Sequence, residues 1–454
     1  MEARGGKVES AVREVAAELR DWSTNCLGDL EKRVKHAKKA LERCRRSSIS
    51  RDSVAREEIL KYRLHKLEDQ VELYWCQRAT SHWLKHGDRN TQFFHQYASE
   101  RRRNRITRLV KDDGCVVEDA GGIQAMATNF YSALFTSSAG SRYEELLQHL
   151  PSRVTDAMNA DLTRDYTEEE IKAALDSMGD LKAPGPDGMP ALFYKKFWNI
   201  VGKDVVKEVT EVLNGGPMPG SWNETVVVLI PKVQKPERLK DLRPISLCNV
   251  VYKFASKVLA NRLKRVLPDI ISLNQSVFVP GRLITDNVLL AYELTHYMQN
   301  KRRGADSYAA LKLDMSKAYD HVEWEFLRLM LCKLGFQNEW VERLMNLVTT
   351  VRYRVRVNGE LTDEIVPQWG LRQGDPISPY LFLICAEAFS CLLNAAEERG
   401  EMAGVRVCQE APSINHLLFA DDSLLLFKLR IGVQNICKMF YLCMKIARAD
   451  YKQG

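Results

Sequence analysis

Two aspartates, Asp421 and Asp422, stand in the middle of HLLFADDSLLLF, at a turn between segments that are otherwise almost wholly apolar. Like charges about 4 Å apart repel by about 4 kcal/mol at an effective dielectric of about 20, so such a pair calls for cations or a shared proton. A third aspartate, Asp314, directly follows a short apolar strand expected over Ala310 to Leu313 in LKLDMSKAYDHV. Three carboxylates from two strand ends, with no His or Cys in the adjoining positions, specify hard oxygen-seeking cations, Mg²⁺ or Mn²⁺ rather than zinc. Carboxylate-held metal pairs clamp the attacking and leaving oxygens of in-line phosphoryl displacement, which leaves nuclease and polymerase chemistry open. Asp112-Asp113, in the polar turn VKDDGC, serves as the internal control, because there a solvated turn accounts for the pair.

These carboxylates need strands and helices to hold them. From Val8 to about Ser99 the chain has the spacing of long charged helices, with Val12, Val15, Ala16 and Leu19, then Leu60, Leu64, Leu67, Val71 and Leu73. Thr167 and Glu170 fit a capping box ahead of Ile171. KAPGPDGMP, Lys182 to Pro190, is dense enough in Pro and Gly to enforce an ordered loop. Thr225 to Ile230 predicts a buried strand stopped by Pro231, and Ser246 to Leu267 a helix closed by Pro268. A helix from about Glu323 to Leu334 should end at Gly335. Val351, Tyr353, Val355 and Val357 alternate with Arg352, Arg354 and Arg356 up to Asn358-Gly359, a strong hairpin signal with one apolar and one triply positive face. A buried helix is expected over Ile377 to Leu393, and two short strands over Leu417 to Phe427.

Composition bounds the rest. With 454 residues, 45% hydrophobic and 28% charged, the chain should hold two to four domains, and collagen-like, coiled-coil-only and wholly disordered classes are excluded. The longest apolar run, Tyr380 to Leu393, falls short of the ~18 residues of a bilayer span and contains Glu387; MEARGGKVES has no apolar core. No membrane role and no secretory signal are therefore expected, and the expected location is intracellular, the nucleus included. The 11 cysteines are scattered without a CxxC pair, which favours reduced thiols over disulfides or structural zinc. The net charge of +7 is concentrated: residues 1–110 sum to +9 and the remainder to −2. Arg101, Arg102, Arg103, Arg105 and Arg108 mark the basic peak, close to Trp83, Phe93 and Phe94, a pattern that suits a nucleic acid and equally a solvated helix face.

LKAPGPDGMP, VVVLIPKV, LRPISLCNVVYKFASKVLANRL, NQSVFVPGRLITDN, LKLDMSKAYDHV, GLRQGDPISPYLF and HLLFADDSLLLF occur in the order found in LINE-type (non-LTR) retrotransposon reverse transcriptases. The resemblance covers about residues 170 to 430, and WLKHGDRNTQFF resembles the segment preceding the polymerase in plant elements. It implies that Asp314, Asp421 and Asp422 bind two Mg²⁺ (or Mn²⁺) ions on a palm-like antiparallel sheet. Tyr319 would lie under the incoming sugar and exclude a 2′-hydroxyl; its alternative is a core Tyr. Lys232 and Arg243 match the cations that neutralise the triphosphate, Gln373 and Gly374 the lining of the nucleotide and template pocket. Arg372 is expected at phosphate or template, or in a surface ion pair, and KAPGPDG near the template or as a purely structural turn.

The implied fold is α+β: right-hand polymerase fingers and an incomplete palm, an antiparallel sheet with packed helices, preceded by a helical extension. Its expected divisions are a basic helical region over 1–110, a connection over 111–166, fingers and the start of the palm over 167–308, and palm over 309–454. After FADD the family continues with a helix, a further strand, a primer-gripping hairpin and a thumb, whereas this sequence runs MFYLCMKIARADYKQG to Gly454. The implied activity is RNA-directed DNA synthesis on an RNA template and DNA primer from deoxynucleoside triphosphates, weak or absent in this fragment. The alternative is a degenerate element fragment that keeps the fold and binds RNA without catalysis. A two-metal nuclease gives no role to GLRQGDPISP. Protein partners are not implied.

Overall fold

A computed structural model describes residues 8–27, 29–46, 48–79, 105–111, 113–137, 143, 147–148, 150–301, 307–315, 318–420 and 422–429. The chain divides into two compact units, Met1–Leu109 and Val110–Gly454. In the first, α1 (Val8–Trp22) buries Val8, Val12 and Ala16, the stripe expected from the spacing, although Leu19 is exposed. Helices α2 (Leu30–Arg45) and α3 (Arg51–Ala79) pack as a hairpin around Ala37, Leu41 and Leu67, laced by Lys38–Glu68 and Arg45–Glu57 ion pairs at 3.2 and 2.9 Å. Asp29 caps α2 by accepting from the Glu31 and Lys32 amides. Trp83, Phe93, Phe94 and Arg101 to Arg103 lie outside the described residues; Arg105 is described and exposed.

The second unit is α+β, with two sheets that matter for the site. The first runs β2-β1-β4-β5, where β1 is Glu224–Pro231, β2 Leu242–Cys248, β4 Arg352–Val357 and β5 Glu360–Leu361. Strand β1 pairs antiparallel with β2 (Thr225 opposite Cys248) and parallel with β4 (Val226 opposite Arg354). The second sheet is antiparallel, β3-β7-β6, from β3 (Tyr308–Asp314), β6 (His416–Phe419) and β7 (Asp422–Lys428). Strands β1 and β4 share the first sheet although they lie on either side of residues 308 and 309.

Hydrophobic period decides most elements. In β4 the tyrosine and valines are buried and Arg352, Arg354 and Arg356 exposed, and the turn into β5 uses Asn358 and Gly359 at φ 51° and 101°. Helix α4 (Glu168–Asp176) is capped by the Thr167 hydroxyl, which accepts from the Glu170 amide; the Glu170 carboxylate is drawn instead to Arg262, at 2.6 Å. Helix α7 (Trp324–Leu334) closes at Gly335 in the left-handed region. Two expectations are corrected. Ser246 to Cys248 are strand, and α5 begins only at Val250 after Asn249, because Ser246, Leu247 and Cys248 pair with β1. Nor does Pro268 close α5, which runs to Ile270: a proline in the last turn removes one ladder bond, and the Arg282 guanidinium takes the Pro268 and Ile271 carbonyls at 2.9 and 2.7 Å.

The antiparallel sheet is covered on both faces. Leu311, Leu313, Leu425 and Phe427 pack on Phe389 and Leu393 of α8 (Ser378–Glu398), and Leu417, Leu424 and Leu426 on Leu290, Ala291 and Leu294 of α6 (Ile284–Asn300). Helix α8 is longer than the expected Ile377 to Leu393 and is, among the described residues, long and apolar enough to cross a membrane by length and composition. It is a core helix here: its Glu387, 1% exposed, pairs with Arg153 at 2.7 Å and accepts from the Ser272 amide at 2.9 Å.

His416 of β6 is wholly buried, its Nδ1 2.5 Å from Asn415 Oδ1 and its Nε2 3.0 Å from Ser390 Oγ on α8. Burial pulls the imidazole from 6.5 down to about 3. Above pH 6.5 neither folded nor unfolded chain carries this proton. Below it the unfolded chain gains a proton that the folded chain refuses, so stability falls by about 1.4 kcal/mol per pH unit towards pH 3. Urea denaturation of His416→Gln across this window should give a shallower acid loss than the unsubstituted chain; equal slopes would remove His416 as the cause.

Candidate active site

The antiparallel register sets the centre of the site. Strand β3 ends at Asp314 and β7 begins at Asp422, and these two residues are partners across the ladder, a relation that holds Cα atoms about 4.5–5.5 Å apart. Phe419 is the other partner of Asp422, leaving two residues to connect β6 to β7. The first, Ala420, sits at φ 56°, a conformation most side chains avoid. Asp421 and the Asp314 side chain lie outside the described residues. The Asp422 carboxylate is 46% exposed and draws the Lys312 ammonium to 3.2 Å across the strands. Among the described residues no three His, Cys, Asp or Glu side chains gather as a metal-binding group. The donors at this strand end are aspartates, and carboxylate oxygens open to solvent fit Mg²⁺ or Mn²⁺. The control, Asp113, accepts from the Cys115 amide at 2.8 Å in an exposed turn.

Met315, the residue after Asp314, lines a cavity of about 500 Å³ that also takes in Lys232, Arg243, Tyr319, Asp320, Gln373 and Gly374. Lys232 follows β1, its amide fixed by the Asp241 carbonyl at 2.8 Å and its ammonium 3.1 Å from the Lys240 carbonyl. Arg243 is exposed on β2 opposite Ile230. Tyr319 opens a short 3₁₀ turn and stacks on Phe382 of α8, centroids 5.0 Å apart at 17°. That turn is pinned by the Leu371 amide to the Tyr319 carbonyl at 2.7 Å and the Gly370 amide to the Val322 carbonyl at 2.8 Å.

Within GLRQGDPISP, neighbouring residues have opposite tasks. Gln373 and Gly374 line the cavity, and Gln373 Nε2 is 3.4 Å from Asp320 Oδ1. Gly374 sits at φ 113°, where a Cβ would come within 3.0 Å of the Ser246 carbonyl oxygen, so the loop lies close on β2 as only glycine allows. Arg372 and Asp375 turn inwards and form an ion pair at 2.8 Å, 2% and 0% exposed. Arg372 also donates to the Leu347 carbonyl at 2.9 Å and to Asn223 Oδ1, and lies 4.0 Å over the Tyr252 ring. Asp375 accepts from Tyr252 at 2.5 Å and from Ser256, both on α5. Burial opposes the Arg372 charge, yet its surroundings, Asp375 among them, hold it more firmly protonated than usual. The expected surface ion pair of Arg372 is therefore corrected: the side chain is buried where it lines the cavity, pairs with Asp375 and donates to the Leu347 carbonyl and Asn223 Oδ1, partners 25 and 149 residues away that a single sequence cannot display.

KAPGPDG is likewise held from within. Asn249 Oδ1 accepts from the Asp187 amide at 3.1 Å, and a Cβ on Gly185 would overlap Asn249. Two polar residues escaped the sequence analysis. Asp320, 3% exposed, lines the cavity beside Tyr319; the signal was a second carboxylate inside DMSKAYDHV. Gln275, 1% exposed, meets the turn after β6, and only its place in an apolar context hinted at burial.

Residues 230–449 match the family described as reverse transcriptase (RNA-dependent DNA polymerase). The chain is 33% identical over 374 residues to the transposon TX1 149 kDa protein of Xenopus laevis, covering 81% of this chain and 28% of that protein. It is 28% identical over 287 residues to the Pol polyprotein of the retrotransposable element R2 of Nasonia vitripennis, covering 63% and 26%. An uncharacterized mitochondrial protein of Arabidopsis thaliana is 44% identical over 94 residues, 21% of this chain and 76% of that one. The chain thus spans about a quarter of the length of the two transposon relatives.

Proposed function

Because the chain belongs to the reverse transcriptases of LINE-type (non-LTR) retrotransposons, we propose that it adds deoxynucleotides to a primer 3′-hydroxyl under the direction of an RNA template. The observation that carries this is convergence: Lys232, Arg243, Tyr319, Gln373 and Gly374, drawn from four segments of sequence, line one cavity that reaches the residue after Asp314. In this reading the β2-β1-β4-β5 sheet belongs to fingers and the β3-β7-β6 sheet to palm. Asp314, Asp421 and Asp422 would hold two Mg²⁺ or Mn²⁺ ions, which supply Lewis acidity at the phosphoryl oxygens. Lys232, as a point charge, and Arg243, as a fork, neutralise the triphosphate. Tyr319, braced by Phe382, supports the sugar, and Gln373 with Gly374 aligns base and template. The primer 3′-hydroxyl gives its proton to solvent as its oxygen bonds to the α-phosphorus, the bond from that phosphorus to the oxygen bridging the β-phosphate breaks, and pyrophosphate departs. Arg101, Arg102, Arg103 and Arg105 would hold the RNA backbone.

Single-nucleotide extension of a DNA primer on an RNA template, with Mg²⁺ and then Mn²⁺, tests the proposal: incorporation should follow the template base. A chain that binds RNA and never adds a nucleotide would be the degenerate fragment instead. Within that assay Tyr319→Ala should lower the preference for deoxy- over ribonucleotides by roughly 10–100-fold. An unchanged preference would return Tyr319 to the core.

A further inference from the structure

We infer that Gln275 is a positioning residue for the acidic turn, a step that deepens the polymerase proposal and rests on it only for its activity arm. Gln275 is 1% exposed. Its segment lies parallel beside β6: Gln275 bridges Leu418, the Leu418 amide donates to the Asn274 carbonyl at 2.8 Å, and Asn274 Nδ2 donates to the His416 carbonyl at 2.7 Å. Asn287 of α6 ties this rail down by donating to the Asn274 carbonyl at 3.0 Å. From it the Gln275 carboxamide reaches the turn, where Oε1 accepts from the Val277 amide at 3.1 Å and from the Ala420 amide at 3.2 Å.

Ala420 is the residue at φ 56° that opens the connection carrying Asp421 and Asp422. An alanine keeps this backbone only where its surroundings over-determine it, and the Gln275 oxygen fixes the amide that sets the direction of the chain there. Two N–H donors converge on that oxygen, so the amide cannot be reversed, and among the described residues the buried Gln275 NH₂ has no hydrogen-bond partner.

Amide exchange and single-nucleotide kinetics on the full chain test the assignment. Gln275→Leu should speed exchange at the Ala420 amide about tenfold or more. It should also lower kcat by about 10–100-fold, while KM for the deoxynucleotide stays within about twofold. Gln275→Glu, of equal length and still an oxygen acceptor, should keep the Ala420 amide protected, which a filler of space would not do. Unchanged exchange at Ala420 in Gln275→Leu, or lost protection in Gln275→Glu, overturns the assignment. Should the unsubstituted chain add no nucleotide, the polymerase proposal fails by itself and the exchange measurement still decides Gln275.

Discussion

Primer extension by Asp422→Asn should fall on the order of 10³-fold while the protein stays as stable as the unsubstituted chain. Asparagine keeps the shape of the side chain and removes the charge that the proposed chemistry needs. The fold loses little: the carboxylate is 46% exposed and its described partner is Lys312, itself 71% exposed, a class of pair worth about 0–1 kcal/mol. Removing one charge from an aspartate cluster also relieves repulsion, so the melting temperature should hold or rise. Asp314→Asn and Asp421→Asn should behave alike, since the three are proposed to act as one unit. Extension within tenfold of the unsubstituted chain would reject Asp422 as a metal ligand; loss of activity together with loss of fold would make it structural.

The second large effect is on stability. Arg372→Ala leaves Asp375 charged, 0% exposed and without its cation, a change that costs about 3–5 kcal/mol. The Leu347 carbonyl and Asn223 side chain lose their donor in the same step. Replacing both partners, Arg372→Met with Asp375→Leu, should cost much less than the two single changes added together, because no unpaired buried charge remains. Urea denaturation of the four proteins measures the coupling. If Arg372→Ala costs under about 1 kcal/mol but weakens RNA binding, the arginine contacts the template after all.

The strand ends at the aspartates were legible from the apolar runs that flank them, and the ladder pairs Asp314 with Asp422. The Val351 to Gly359 hairpin was legible for a local reason, a strict period of two followed by the residues that tolerate positive φ. What sequence hid was partnership across distance. GLRQGDPISP displays an arginine and a glutamine of equal apparent interest, and only the fold ties Arg372 to Asn223 and Gln373 to Asp320. The parallel pairing of Val226 with Arg354 likewise has no local signature. Ser246 to Cys248 continues an apolar run that fits helix or strand, and the neighbouring β1 decided it. Gln275 acts through one carboxamide oxygen on a residue 145 positions away, which composition and spacing cannot express.

Asp314, Asp421 and Asp422 are proposed to hold divalent cations jointly. Anomalous scattering from crystals soaked in Mn²⁺ addresses this without depending on turnover. The expected result is manganese density at the end of β3 and β7, bonded to carboxylate oxygens of Asp314 and of the β6–β7 turn at roughly 2 Å, and absent from Asp422→Asn. Manganese bound elsewhere, or an Asp314 carboxylate turned away from the turn, would contradict it.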